Sequence, residues 1–113
     1  MRRSEILFLD MLLSAREAVE MAEGLTFSSF EGNRTVQLAV LKAVETVGEA
    51  AARVDAGTRE RHPEIPWADI TGMRNRLVHE YFRVNLTRVW ETVKRDIPVL
   101  ISQLEALVPP ESK

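Results

Sequence analysis

The sequence predicts an all-α protein: an antiparallel helical bundle of four main helices with one or two short extra helical turns, dimerising. Three observations carry this. Apolar residues recur at three- and four-residue spacing through three long stretches. No segment alternates with period two, and no glycine-rich turn joins two short strands. Good capping and breaking residues, among them Gly24, Asn33, Gly57, Pro63, Pro66 and Asn85, divide the chain into helix-sized pieces.

The first helix is expected over 4–23, capped by Ser4, with Ile6, Leu9, Leu12, Leu13, Val19 and Ala22 at helical spacing and Gly24 as its stop. The connector "LTFSSFEGN" has room for one helical turn, since Ser28 and Glu31 have capping-box spacing. Its Phe27 and Phe30 are expected to plug one end of the core. Asn33 caps a second long helix, about 34 to 56, ended by Gly57. Its apolar stripe runs through Val36, Val40, Val44, Val47, Ala51 and Val54, with Ala43 and Ala50 alongside. Leu38 and Leu41 widen that stripe beyond one intramolecular face, which implies either a central helix or one that also serves a partner subunit.

After Gly57, "TRERHPEIP" reads as a connector, and Pro66 suits the first turn of a third helix, "WADITGMRNRLVHEYF". Asn85 caps the last helix, in which Leu86, Val89, Val93, Ile97, Leu100 and Leu104 keep strict phase. Pro98 lies inside it and removes one backbone hydrogen bond, so a kink is expected there rather than a stop.

At 113 residues, 45% apolar and 28% charged, the chain reads as one soluble domain, 1–113. The basic start "MRRSEILFLD" precedes an apolar run, but Glu5, Asp10, Arg16 and Glu17 interrupt it before a signal or membrane segment is complete. No membrane partner is expected. Without cysteine there are no disulfides and no thiolate nucleophile or metal ligand, which fits a cytoplasmic protein. Net charge is −2, but it is unevenly spread. Residues 1–70 carry 8 basic and 12 acidic side chains, for −4; residues 71–95 carry 6 basic and 2 acidic, for +4. Any anion-binding surface belongs to the second segment, although on charge alone an ordinary solvated helix face is the favoured reading.

That segment contains "MRNRLVHEYF", which places Arg74, Arg76, His79 and Tyr81 together in a chain with two histidines and one tyrosine. No metal centre is expected, and no cofactor: there is neither a clustered ligand set nor a glycine-rich phosphate loop. His62, beside Pro63, reads as a loop residue. Arginine with histidine is different, because RNA can be cleaved by such a pair without metal. Histidine moves a proton near neutral pH, the planar arginine fork steadies charge on the phosphoryl oxygens, and the RNA 2′-hydroxyl is the nucleophile. Geometry complicates the pairing. Residues five apart on a regular helix diverge by about 140°, whereas Arg74 and Tyr81, seven apart, share a face. Arg74 and His79 converge only if the helix loosens or two copies meet across a two-fold axis. A structural arginine with a capping histidine stays open at this point.

The segment Arg74-Asn75-Arg76-Leu77-Val78-His79-Glu80-Tyr81 completes the pattern Arg-x4-His-x-Tyr. With its flanks "EIPWADITG" and "VNLTRVWETVKRDIPVLISQLEAL", and with "LTFSSF" and "AVETVGEAA" earlier, the chain resembles the HepT-like branch of the HEPN superfamily. These are small all-α proteins often encoded beside a minimal nucleotidyltransferase as its toxin partner. The resemblance implies a metal-independent endoribonuclease acting on an RNA substrate, with its cleft between the motif helices of a homodimer. It implies Arg74 and His79 as the catalytic pair, Asn75 and Arg76 as RNA-binding or supporting residues, and Tyr81 as acceptor of AMP from a nucleotidyltransferase antitoxin. Glu49 would pair with an active-site arginine, and a solvated glutamate is its simpler reading. The alternatives are a non-catalytic module that binds a nucleotide or a nucleotidyltransferase, and a structural dimerisation domain.

Overall fold

The computed structural model describes residues 2–72 and 85–108. Every regular element among them is helical. The long helix α1 (Arg3–Ala22) is followed by a short α2 (Phe27–Glu31), the long α3 (Arg34–Ala52) and a short α4 (Ala56–Arg61). Residues 67–72 are helical (α5), and the last helix runs as α6 (Leu86–Glu91), a π-helical turn (Thr92–Asp96) and α7 (Ile97–Glu105).

The centre of the bundle is α1 against α3. Small side chains, Ala15, Ala18 and Ala22 on α1 with Ala43, Gly48 and Ala51 on α3, are buried and let the two backbones approach closely. Two apolar clusters run end to end along this axis. One joins Leu7, Phe8 and Met11 of α1 to Val47 and Val54 and to Ile97, Leu100 and Leu104 of α7. The other joins Ala18 and Ala22 to Phe30, to Val40 and Val44 of α3, and to Val89 and Val93 of the last helix. The start of α1 thus meets the far ends of both α3 and α7, the antiparallel arrangement expected.

Several local expectations are corrected. Ser4 does not cap α1: the helix starts a residue earlier, with the Arg2 carbonyl accepting from Ile6 N–H and no side-chain cap. Gly24 does end it, with φ +77°, a left-handed conformation that glycine enters without a Cβ clash. In α2 the cap is Thr26, whose hydroxyl accepts from Ser29 N–H, rather than Ser28. Asn33 caps α3 as expected, through Val36 N–H. However, α3 stops at Ala52, and Gly57 sits inside α4 instead of ending α3. Asp55 begins α4, accepting from both the amide and the hydroxyl of Thr58, so the presumed connector is partly helical.

Leu41 is also corrected. It is 4% exposed and packs in the core of this one chain, so it is not surplus surface for a second copy; Leu38 is half-buried. The central-helix explanation of the wide stripe accounts for it. Pro98 does not stop the last helix, as expected, but the accommodation is specific. One residue is inserted ahead of it, with Ile97 N–H reaching back five residues to the Thr92 carbonyl. The wider turn loosens the ladder where the proline ring would otherwise press on it. Val89, Val93, Ile97, Leu100 and Leu104 all remain buried through the insertion.

Candidate functional site

Arg74, Asn75, Arg76, His79 and Tyr81 lie outside the described residues. What is visible is how the chain is led into and out of that segment. At the entry, the Pro66 carbonyl accepts from Ile70 N–H at 3.0 Å, placing the proline just ahead of α5. Ile65 and Ile70 are 1% and 5% exposed, so both flanks of that turn are driven into the core. Trp67 between them is half-buried: its indole N–H donates to the His62 carbonyl at 3.0 Å, and the Arg59 guanidinium lies 5.9 Å above its ring. Arg59 in turn donates to the carbonyls of Ala51 and Ala52, the negative end of the α3 dipole. His62 meets Phe8 edge to face at 5.6 Å and lies 3.6 Å from Glu64, so it is part of this clasp, beyond the simple loop residue expected. Finally, the Gln103 amide on α7 donates to the Glu64 carbonyl at 2.8 Å, tying the last helix to the loop before α5.

At the exit, Asn85 accepts from Arg88 N–H and starts α6, as the sequence predicts. The basic segment then divides by role. Arg74, Arg76 and Arg83 lie outside the described residues. Lys94 is committed to the fold: its ammonium donates to the Ala22 carbonyl at the end of α1 and sits 4.7 Å over the Trp90 ring. Arg95 is exposed. Arg88 lines a groove.

That groove, of about 440 Å³, lies between the start of α5 and the last helix. Buried Ile70, Ile97 and Leu100 give it apolar walls, and Val99, 58% exposed, stands at its edge. Its charged lining among the described residues is Arg88 against Glu64, Asp69 and Asp96, one cation to three carboxylates, a net of −2. Sequence reading did not find it. Its residues come from positions 64–70 and 88–103, and helical periodicity says which face is apolar but not where two faces stand apart. Glu49 is half-buried on α3 and makes no ion pair with any described residue. Among the described residues no three His, Cys, Asp or Glu side chains stand together as a metal site, and no helix is long and apolar enough to cross a membrane.

The chain matches the family described as Ribonuclease HepT-like over residues 11–107. It is 39% identical over 102 residues to the "Probable ribonuclease HepT" of Thermococcus cleftensis, covering 87% of this chain and 93% of that one. It is 33% identical over 96 residues to "Putative RNase MJ1380" of Methanocaldococcus jannaschii, covering 85% and 88%. A third relative, "Putative RNase TTE0752" of Caldanaerobacter subterraneus, is 34% identical over 105 residues, covering 92% and 94%. No solved structure matches the chain. An all-helical bundle, an Arg-x4-His-x-Tyr segment and a family match across residues 11–107 agree: the chain belongs to the HepT-like ribonuclease family of the HEPN superfamily.

Proposed function

We propose that this protein is the toxin of a type VII HEPN–nucleotidyltransferase toxin–antitoxin system, a metal-independent endoribonuclease that acts in the cytoplasm as a single-domain chain, 1–113, paired into a homodimer. The observation that carries the reading is the match over residues 11–107, which contains the whole of Arg74-x4-His79-x-Tyr81. The names of the relatives, each an RNase, support RNA as substrate.

In this reading His79 moves a proton at the 2′-hydroxyl or the leaving 5′-oxygen. Arg74 steadies the phosphoryl oxygens with its bidentate fork, while Asn75 and Arg76 hold the RNA. The 2′-oxygen attacks phosphorus as the bond to the 5′-oxygen breaks, leaving a 2′,3′-cyclic phosphate and a 5′-hydroxyl. The angular divergence of Arg74 and His79 on a regular helix remains the motive for a cleft shared by two copies. Glu49 would steady an arginine of that cleft. Tyr81 is the regulatory handle. Its phenolic oxygen attacks the α-phosphorus of ATP held by the nucleotidyltransferase partner, pyrophosphate leaves, and the AMP phosphate then competes with RNA for Arg74.

The deciding experiment is RNA cleavage in excess EDTA by wild type and by His79→Ala. Wild type should cut and leave cyclic phosphate ends, and the variant should lose about 10²–10⁴-fold in rate with its helical content unchanged. A strict need for added magnesium, or full activity in the variant, overturns the mechanism. Co-expression with the cognate nucleotidyltransferase tests the switch: Tyr81 should gain adenylyl mass, and Tyr81→Phe should stay toxic.

A further inference from the structure

The structure assigns the groove between α5 and the last helix to a cationic, amphipathic segment of a partner protein, and not to RNA. Its shape is the first reason. The residues that line it on the last helix, from Arg88 to Gln103, span 15 positions, roughly 20 Å of helix at 1.5 Å per residue. A trough of that length suits two or three turns of a bound peptide better than a compact small molecule. Chemistry is the second reason. Apolar Ile70, Ile97 and Leu100 offer burial, and Val99 stands 58% exposed beside them as a further apolar anchor.

Charge decides the class of occupant. Glu64, Asp69 and Asp96 are all exposed, and Arg88 opposes them alone among the described lining residues. An RNA backbone laid here would set its phosphates beside carboxylates; lysine or arginine side chains flanking aliphatic ones complement the same lining. A second copy of the chain fits poorly for a related reason. Across a two-fold axis the same patch meets itself, and two linings of net −2 each would be brought together. The occupant is therefore a different protein, basic where this groove is acidic. It would rest against α5, from which the chain runs directly into Arg74.

The test is fluorescence anisotropy on the full-length protein with a labelled 14-residue peptide of leucine and lysine in heptad spacing, and with its leucine–glutamate counterpart. An uncleavable 2′-O-methyl oligoribonucleotide is the competing class. The lysine peptide should bind saturably with a Kd on the order of micromolar, and amide resonances of Asp69, Ile97 and Val99 should move. The Glu64→Gln/Asp69→Asn/Asp96→Asn protein should weaken binding about tenfold, and so should Val99→Asp. Both variants alter exposed side chains, so the fold is retained. Absence of saturable binding, equal affinity in the variants or for the glutamate peptide, or movement of the same resonances by the oligoribonucleotide overturns the assignment. So does a Val99→Asp protein that light scattering shows converted from dimer to monomer, because the face then belongs to a second copy. None of these outcomes depends on whether the protein cleaves RNA.

Discussion

The two ends of the bundle are closed by similar parts used differently. At the α2 end, Phe30 is 1% exposed with its ring 5.2 Å from that of Trp90, and Gln37, 5% exposed, donates to the carbonyls of both Phe30 and Glu31. The Gln37 amide there is buried, uncharged and bonded to neighbours six or seven residues away, and the charged Lys94 stays at the surface over the Trp90 ring. At the α5 end, Trp67 is half-buried under Arg59, His62 approaches Glu64, and the Gln103 link spans 39 residues of sequence. One end is a sealed plug. The other is a clasp at the surface that sets where α5 begins and borders the acidic groove. A polar link made in the core stabilises chiefly by leaving nothing unsatisfied, whereas a link at the surface, worth less, fixes position. Sealing the core and fixing the start of α5 thus fall to opposite ends of a bundle about twenty residues long.

Substitutions can break this division, and the largest effect belongs at the plug. Phe30→Ala removes a fully buried ring and should cost about 3–5 kcal/mol of unfolding free energy. Any protein still folded should cleave RNA at the wild-type rate, because the α5 clasp is untouched. A denaturant titration read beside the specific activity of the folded fraction checks both halves. A loss of kcat matching the loss of stability would mean that the ends are not separable.

The next effect is smaller and separates polar links by burial. Gln37→Ala takes the amide donor from the Glu31 carbonyl and leaves the Phe30 carbonyl to backbone N–H groups alone, and should cost about 1–3 kcal/mol. Gln103→Ala cuts one half-exposed link and should cost about 0.5–1.5 kcal/mol. The activities should rank in reverse: Gln103→Ala should lower kcat, since α7 no longer holds the loop before α5, while Gln37→Ala should leave it unchanged. Equal kcat in the two proteins would remove the positioning role from Gln103.

The plug was more legible in the sequence than the clasp. Phe27, Phe30 and Asn33 sit within seven residues, so local spacing and capping preference suffice to read them. Even there the capping-box spacing of Ser28 and Glu31 pointed to the wrong cap, and the geometry has Thr26 accepting from Ser29 N–H. The clasp gathers Phe8, Arg59, His62, Trp67 and Gln103 from across the chain, and no local rule pairs them. The missed helix α4 did carry a signal: Asp55 and Thr58 have N-cap spacing, but two nearby prolines and Gly57 pointed to a loop. For Pro98 the sequence predicted accommodation; the π-helical turn that achieves it depends on keeping Val93 and Ile97 both buried, a demand of packing. The segment Arg74 to Tyr81 was singled out from its residue types and flanks, and it lies outside the described residues.

The smallest expected effect, and the sharpest contrast between the ends, is in acid. Thr26 and Asn33, the caps at the plug, are uncharged and have nothing to titrate. Asp55, which caps α4 and so leads toward the clasp, is held below the ordinary carboxylate range, chiefly by the hydrogen bond from the Thr58 hydroxyl and then by that from the Thr58 amide. A carboxyl whose folded pKa is lowered contributes stability that is fully present above its unfolded value, here 3.8, and is lost as pH falls through the lower folded value. The Thr58 amide, 3.0 Å from the carboxylate, should therefore shift on titration with a midpoint below 3.8, while the capped amides of Ser29 and Val36 stay flat. Asp55→Asn keeps an acceptor for the cap and should abolish the Thr58 transition without unwinding α4. A Thr58 midpoint at or above 3.8, or a transition that survives in the Asn protein, would show that the carboxylate is not what ties acid sensitivity to this end.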